Sequence, residues 1–308
     1  MSQKKSIHQE QRSEIIQSYL MISPLTIGFI LFSVYPIVWV LRYAWFEFDG
    51  VTSHFIGLDN FIRVFMRDGD YWSAVWNTII LSLGKLSVEI PLALLVAVFL
   101  NMKIRGSAAF RVIFFMPTII STAIIGLIFY FIFASYNGIL NNVLLDLHLI
   151  DAPINWFNDK WRAMTVLAVA SIWNSFGINM IFFLTGLQTI PVDLYECAVI
   201  DGANGPQKFF HITLPMLYPI MQIIIMLALI GSMKVTDLVL VLTNGQPAGD
   251  TEVVMTYVFK YFFNTDGEVK TPEIGYASAL GMVTACIIAL ITLVYLWVTR
   301  RANRVYEG

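Results

Sequence analysis

The chain has 308 residues, of which 57% are apolar and 13% charged, and its formal net charge at pH 7 is -2. Soluble domains usually carry about a quarter charged residues, so a soluble chain of this composition would expose wide apolar surfaces, whereas a lipid-facing chain would not. The sequence shows no basic stripe for contacting phosphates, and its scattered cysteines and histidines match neither a disulfide framework nor a metal site. We therefore expect no nucleic-acid partner and no bound metal.

Six stretches of the chain are long and apolar enough to cross a membrane as helices. A span needs about 20 mainly apolar residues, because the hydrocarbon core is about 30 Å thick. The stretches run over residues 19–41, 74–100, 112–134, 163–187, 216–243 and 276–299. We predict an all-α, polytopic membrane protein whose transmembrane domain at 19–299 lies between short tails at 1–18 and 300–308. A polar leader precedes the first stretch and bulky residues follow it, which favours a retained span over a cleaved signal peptide.

Lysine and arginine in the short loops set the predicted orientation, because cytoplasmic loops carry an excess of these residues. If the N-terminus is cytoplasmic, the inside segments 101–111 and 300–308 are clearly basic. An even number of spans then places both termini in the cytoplasm, with the chain in a plasma membrane.

One connecting segment, residues 190–215 between the fourth and fifth spans, has the pattern of two short helices. Pro191 suits the first position of a helix, and Asp193 is favourable in a first turn. Gly202 suits the end of that helix, and Pro206 can begin a second one. The pattern predicts a helix–turn–helix outside the membrane on the cytoplasmic side.

The composition of this segment is also that of a docking surface. Small residues such as Ala198, Gly202 and Ala203 would let the backbone of another protein approach closely. The Glu196 carboxylate could accept a bidentate bond from an arginine of a partner. A connecting loop with local helix caps accounts for the same residues equally well, and the residues alone leave both interpretations open.

Nine positions of the segment form a specific motif, namely Glu196, Cys197, Ala198, Asp201, Gly202, Ala203, Phe209, Leu214 and Pro215. Together they resemble the EAA loop of binding-protein-dependent ABC permeases. Cys197 stands where alanine is usual, and cysteine is also small and tolerates burial. The resemblance implies that this loop is the cytoplasmic coupling helix between the membrane subunit and an ATPase.

Further motifs occur across the chain, at residues 55–61, 77–78, 105–117, 242–252 and 275–279. They resemble the maltose-type carbohydrate permeases and, among these, the first permease subunit of a heterodimer. The resemblance implies a type I importer fold that takes up a sugar or oligosaccharide by alternating access, in a bacterial or archaeal plasma membrane. It also implies a second permease subunit, two ABC ATPase subunits and an extracytoplasmic solute-binding protein as partners.

The sequence lacks a motif for ATP hydrolysis. A phosphate-binding loop needs a Gly-rich stretch followed by Lys and Ser or Thr. The one Gly-Lys pair, Gly84-Lys85, precedes Leu86 and lies inside a predicted span. We expect a non-catalytic subunit without a cofactor of its own, while ATP and Mg are bound by the separate ATPase.

Charged residues inside spans are costly and mark candidate functional sites. Span two holds Lys85 and Glu89 one helical turn apart, where they can form an intramembrane ion pair. Span five holds Lys234 and Asp237, also about one turn apart. A purely structural ion pair within the helix bundle would account for either pair of charges. For the second pair we favour a role in the translocation path, because span five directly follows the EAA motif.

Sugars are bound by hydrogen-bonding groups and by flat aromatic faces, and spans four and five offer both. The candidates for the substrate pathway are Ser171, Trp173, Asn174, Ser175, Ser232, Lys234 and Asp237. Packing between transmembrane helices uses serine and asparagine equally well, so both interpretations stay open.

Two other functions also remain open at this level. A permease of the same type could carry an anionic solute, such as a glycerol-phosphate or a uronic-acid oligosaccharide, with Lys234 as its counter-ion. An ion-coupled secondary carrier or a membrane-embedded enzyme would use the two charge pairs, but it leaves the EAA motif unexplained. The sequence does not identify the solute.

Overall fold

The structure is a computed structural model that describes residues 2–102, 105–263 and 272–306. These residues are mainly α-helical with one two-stranded sheet, which confirms the predicted all-α class. The described residues divide into two compact units. One unit comprises the residues up to Arg67 and those between Tyr261 and Val283, and the other comprises the residues 68–260 and those from Thr284 onward. The segments 101–111 and 300–308 that set the predicted orientation lie partly outside the described residues.

The elements follow one another as α1 (Ser2–Phe29), α2 (Tyr35–Arg42), β1 (Phe46–Phe48), β2 (Ser53–Phe55), α3 (Asp59–Met66), α4 (Gly69–Asn101), α5 (Ser107–Ile119), α6 (Thr122–Phe133), α7 (Ile139–Asp146), α8 (Lys160–Leu187), α9 (Val192–Ile200), α10 (Gly205–Lys208), α11 (Leu214–Met233), α12 (Asp237–Leu242), α13 (Val254–Phe263) and α14 (Ile274–Tyr306). Among the described residues, five helical segments are long and apolar enough to cross a membrane, and the bent pair α5–α6 makes six when it is taken as one span. The predicted number of spans is met on that count.

The first unit begins with a long helix that contains one π-helical turn. Helix α1 continues through a π-helical turn, Ile30–Val34, into α2. Pro36 follows this turn. A proline lacks an amide hydrogen and its ring clashes with the carbonyl four residues earlier, so the helix widens before it. The segment Ile15–Trp45 passes the length and hydropathy test for a span, and its most apolar window has no residue buried inside the chain.

A short hairpin of β1 and β2 follows α2, and its turn is closed by an aspartate. The Asp49 Oδ1 atom accepts hydrogen bonds from the amides of Val51 and Thr52 at 2.8 and 2.6 Å. The backbone hydrogen bonds from Thr52 and Val51 lower the pKa of Asp49 below its ordinary value, because they stabilise the charged carboxylate.

Helix α3 and the first turns of α14 complete this unit. Arg63 forms an ion pair with Glu273, and its guanidinium lies 3.7 Å from the centre of the Tyr276 ring. Burial acts to lower the pKa of Arg63, but the hydrogen bond and the charge of Glu273 outweigh burial and raise it. The residues that lead into α14 are thereby held against α3.

In the second unit, α4 and α8 pack side by side, and α11 lies against both. The buried side chains between them include Ala93, Ala97, Met180, Phe183 and Leu217. A second apolar cluster joins α4, α6, α8 and α12 through Leu81, Ile125, Leu167, Ala170 and Leu238. These helices form the frame around the candidate site.

Glycines allow the helices of this frame to approach closely. A Cβ atom on Gly177 of α8 would lie 2.2 Å from the carbonyl oxygen of Phe114 in α5. A Cβ atom on Gly126 of α6 would lie 2.8 Å from a methyl carbon of Val241 in α12. Any larger residue at Gly177 therefore has to displace backbone, whereas at Gly126 it meets a side chain.

The predicted third span, 112–134, is not a continuous helix. Its residues belong to α5 and α6, which are bent by 97°. Helix α8 stabilises the break: Asn174 Nδ2 donates to the carbonyl of Pro117 at 3.1 Å, and Thr118 Oγ1 donates to the carbonyl of Asn174 at 2.9 Å. The stretch 112–134 is therefore a broken span rather than one continuous helix, because these side chains satisfy backbone groups near the break.

The predicted fifth span, 216–243, is interrupted as well. Helix α11 ends at Met233 and α12 begins at Asp237. The amide of Lys234 donates to the carbonyl of Gly231 at 3.2 Å, and the Thr236 hydroxyl donates to the carbonyl of Lys234 at 3.2 Å. The β-branched residues that follow Lys234 add little to helix propensity, so a continuous helix is again the wrong prediction.

Candidate functional site

Both helix breaks border one cavity of about 400 Å³ in the second unit. Its polar and charged lining residues are Lys85, Glu89, Thr122, Ser171, Asn174, Ser175, Asn179, Lys234, Thr236 and Asp237. These groups lie on helices that are otherwise apolar. Because polar groups at membrane depth are costly, the cavity is the candidate functional site of this unit.

The structure brings together the first charge pair predicted from the sequence. Lys85 Nζ lies 3.6 Å from Glu89 Oε2, and the Glu89 side chain is fully buried. The other carboxylate oxygen of Glu89 accepts hydrogen bonds from Ser175 Oγ at 2.7 Å and from Asn179 Nδ2 at 2.6 Å. A charged hydrogen-bonded cluster therefore joins α4 to α8 at the cavity wall.

The second predicted pair does not form. Lys234 and Asp237 lie on either side of the break between α11 and α12, and no ion pair joins them within the described ranges. Asp237 instead accepts a long hydrogen bond, 3.5 Å, from Thr122 Oγ1 at the start of α6. Lys234 is exposed towards the cavity, and its ammonium has no partner among the described residues. Structural pairing, the alternative to a role in the translocation path, would have required an unbroken helical turn between these two residues.

Five of the seven substrate-pathway candidates line the cavity, namely Ser171, Asn174, Ser175, Lys234 and Asp237. The other two do not. Trp173 packs near the ring of Phe129, with 5.8 Å between the ring centroids. Ser232 is buried and donates to the carbonyl of Leu229 at 2.8 Å.

Sequence reasoning missed three polar lining residues, Thr122, Asn179 and Thr236. Asn179 follows Ser175 by four residues, so helical periodicity places both on one face and could have identified it. Thr122 and Thr236 reach the cavity at the two helix breaks, and no local pattern indicates those breaks.

The loop that follows α8 contains the motif residues that resemble the EAA loop. Helix α9 begins at Val192 with Pro191 as its N-cap, one residue later than the sequence suggested. It ends at Ile200, and Gly202, which follows the C-cap residue Asp201, has a φ of +78°. The amide of Gly202 donates to the carbonyl of Val199, and the amide of Ala203 to that of Ala198. This arrangement needs a left-handed residue, which glycine supplies without strain.

A second short helix connects α9 to the membrane. Asn204 caps α10 and exchanges reciprocal hydrogen bonds with Gln207. A π-helical turn, Phe209–Thr213, then continues directly into α11. The hydroxyls of Tyr195 and Thr213 lie 2.9 Å apart, so α9 is tied to the start of α11.

The surface of this loop is apolar and acidic. Its exposed large apolar residues are Val192, Leu194, Val199, Ile200 and Phe210, and Ile200 is 84% exposed. Among the motif residues, Glu196, Cys197, Asp201, Gly202 and Pro215 are exposed, Ala203, Phe209 and Leu214 are half-buried, and Ala198 is buried. Exposed apolar residues beside carboxylates are typical of a surface that binds another protein.

A family model described as the inner membrane component of binding-protein-dependent transport systems matches residues 89–304, which is more than half of the chain. The chain belongs to this family. The match includes the 190–215 loop and the cavity residues from Glu89 onward.

Individual relatives agree with the family assignment. The permease is 33% identical over 280 residues to an arabinooligosaccharides transport system permease protein of Bacillus subtilis, covering 90% of this chain and 87% of that protein. It is 30% identical over 288 residues to a lactose transport system permease protein of Rhizobium radiobacter, covering 92% and 94%. A chain in the crystal structure of a bacterial ABC transporter involved in alginate import matches with a TM-score of 0.81 and 24% identity, covering 95% and 98%. The predicted importer-permease fold is confirmed.

Proposed function

We propose that this permease is the membrane-spanning subunit of an ATP-driven importer of a sugar or oligosaccharide. Its relatives are named for arabinooligosaccharides and for lactose. Its cavity is lined by hydroxyl and amide groups, the groups that bind sugar hydroxyls. The chain lies in a plasma membrane with both termini in the cytoplasm.

The subunit works within a larger assembly. It pairs with a second permease subunit, and two ABC ATPase subunits bind ATP and Mg on the cytoplasmic side. An extracytoplasmic solute-binding protein delivers the solute to the outer loops. This chain carries no reaction centre, and its part is to couple ATPase motion to the accessibility of the cavity.

The connection from α9 to the cavity through α11 carries this proposal. Tyr195 ties α9 to Thr213, and α11 then runs from Leu214 to the break at Lys234. A helix of 20 residues spans about 30 Å, close to the thickness of the hydrocarbon core. A displacement of α9 by the ATPase is therefore transmitted along α11 to the cavity wall, which opens alternately to the two sides.

Solute-stimulated ATPase activity of the reconstituted complex tests the coupling. The complex contains this chain, its partner permease, the ATPases and the binding protein. We expect Glu196→Ala to uncouple or release the ATPase, because it removes an exposed carboxylate available to a partner cation. Asp193→Ala is the matched control, since Asp193 is an exposed carboxylate on the same helix outside the motif.

Two results would count against the proposal. An ATPase that never associates with the chain contradicts the importer function. Equal effects of Glu196→Ala and Asp193→Ala contradict the special role of the motif. Uptake of arabinotriose, lactose, trehalose or maltose in the same vesicles tests the carbohydrate class, and uptake of none of them contradicts it.

A further inference from the structure

Three hydroxyl groups of the cavity wall direct their protons towards the protein. Ser175 Oγ lies 2.7 Å from Glu89 Oε1 and 2.9 Å from the carbonyl oxygen of Ser171, and its one proton is shared between these two acceptors. Thr236 Oγ1 donates to the carbonyl of Lys234 at 3.2 Å, and Thr122 Oγ1 donates to Asp237 at 3.5 Å. A hydroxyl has one proton and two lone pairs. Each of these groups therefore faces the cavity with an acceptor oxygen and with its proton already used.

Glu89 also orients the amide side chain of Asn179 so that its oxygen is left to accept hydrogen bonds. Asn179 Nδ2 donates to Glu89 Oε1 at 2.6 Å, so the amide nitrogen of Asn179 points to Glu89 and its oxygen points elsewhere. The Asn179 amide is thereby held in one orientation. Its Oδ1 has no partner in the part of the chain that the structure describes, and Asn179 lines the cavity.

The position of Glu89 suits this role. Its side chain is fully buried, and its Oε2 atom lies 3.6 Å from Lys85 Nζ, which compensates the charge. Glu89 Oε2 itself accepts no hydrogen bond from the described residues. An apolar side chain could pack α4 against α8, but it would give neither Ser175 nor the Asn179 amide nitrogen an acceptor on α4.

We propose that Glu89 determines whether the cavity presents hydrogen-bond donors or acceptors to the solute. It makes the α8 face around Ser175 and Asn179 an acceptor surface, which selects solutes by the hydrogen bonds that they donate. The inference rests on the proposed function, because it assigns to this cavity a preference for hydroxyl donors. Glu89 is a positioning residue that acts through Ser175 and Asn179.

Replacing a sugar hydroxyl by fluorine tests the preference, because fluorine keeps the size but cannot donate. The probes are arabinotriose, lactose, trehalose and maltose, each compared with a monofluoro-deoxy analogue. Uptake is measured in vesicles with the complete complex, and the ratio of hydroxyl to fluoro solute is determined for each variant. The selectivity of the binding protein is common to all variants, so changes in the ratio report the permease.

Leaving a buried acceptor unpaired costs about the free energy of one hydrogen bond. The wild type should therefore take up the hydroxyl sugar about 10-fold better than the fluoro sugar when fluorine replaces the hydroxyl that contacts this acceptor. In Glu89→Gln the amide can donate as well as accept, which frees Asn179 to turn, while Ser175 keeps the carbonyl of Ser171 as an acceptor. We expect the ratio to fall to about 3-fold or less. A merely structural role would lower both uptake rates together and leave the ratio unchanged.

Glu252→Gln is the matched control. Glu252 is also a buried carboxylate, paired with Lys260 at 2.7 Å, and it lies outside the cavity lining. We expect it to leave the ratio at the wild-type value.

An assembled Glu89→Gln complex with the wild-type ratio overturns the inference. If Glu89→Gln does not assemble, Ser175→Ala decides, because it removes one acceptor and keeps Glu89 in place. A lower ratio then supports the inference and an unchanged ratio across all four sugars overturns it. Failure of the proposed function looks different, since the wild type would then take up none of the sugars.

Discussion

Replacing Gly177 by alanine should separate α5 from α8 and destabilise the assembled permease. The added Cβ would lie 2.2 Å from the carbonyl oxygen of Phe114 and 2.9 Å from the Cα of Phe115. Ordinary carbon–oxygen contacts are longer than 3 Å, so the two helices have to move apart by about 1 Å. The clash is with backbone, which no side-chain rotation can relieve.

The magnitude follows from what this separation disrupts. Overpacking a close helix contact costs about 1 to 3 kcal/mol. The two hydrogen bonds between Asn174 and the end of α5, of 3.1 and 2.9 Å, lie one turn from Gly177 and would lengthen. Hydrogen bonds between transmembrane helices contribute about 0.6 kcal/mol each on average. We expect a total destabilisation of about 2 to 4 kcal/mol.

The assay is thermal unfolding of the detergent-solubilised complex, monitored by the loss of the intact size-exclusion peak, together with uptake in vesicles. Gly84→Ala is the matched control, because a Cβ at Gly84 has no heavy atom within 4 Å. Gly126→Ala should fall between them, since its nearest neighbour is the Val241 side chain at 2.8 Å. A melting temperature for Gly177→Ala equal to that of Gly84→Ala would refute the packing argument.

Three further outcomes follow from the structure. Lys234→Gln should change uptake of a neutral sugar by less than about 5-fold, because one exposed hydrogen-bonding partner contributes less than about 1 kcal/mol. Loss of uptake would instead indicate that the solute binds the ammonium as an anion. Tyr195→Phe should lower the amount of solute transported per ATP hydrolysed. Adding Thr213→Val should cause little further loss, because the two hydroxyls lie 2.9 Å apart and act as one contact. Additive losses in ATPase and uptake assays would contradict this. Asp49→Asn should loosen the hairpin turn at pH 7 but match the wild type under strongly acidic conditions. The folded pKa of Asp49 lies below its ordinary value of 3.8, so the stability that Asp49 adds to the turn is present above that value and is lost as the pH falls through the folded pKa. Amide exchange in the turn, corrected for intrinsic rates, measures this stability. A wild-type turn that loosens already at pH 6 would disprove the assignment.

The predictions from sequence succeeded where the information is local. The helices of the 190–215 loop are marked by Pro191, Gly202 and Pro206, whose backbone preferences act within a few residues. Lys85 and Glu89 meet because α4 is continuous between them, so a spacing of four residues is enough.

The predictions failed where distant segments decide the backbone. The span at 112–134 reads as a uniform apolar helix, yet it bends where Asn174, more than 50 residues later, binds the Pro117 carbonyl. A second break, between α11 and α12, separates Lys234 from Asp237, although only local hydrogen bonds at Gly231 and Thr236 accompany it. Trp173 and Ser232 were assigned to the pathway from their aromatic and hydroxyl side chains, and this chemistry says nothing about the face of the helix on which they lie.

By itself, the sequence determined that the chain spans a membrane, how often, and which family it belongs to. Long apolar runs allow few other folds, because in lipid every backbone polar group must be satisfied inside the protein. The motif residues of the coupling loop are close in sequence and therefore visible without a structure. Only the tertiary structure decided where the helices break and which hydrogen-bonding groups face the cavity. Both depend on contacts such as that between Glu89 and Asn179, which are distant in the chain and have no local signature.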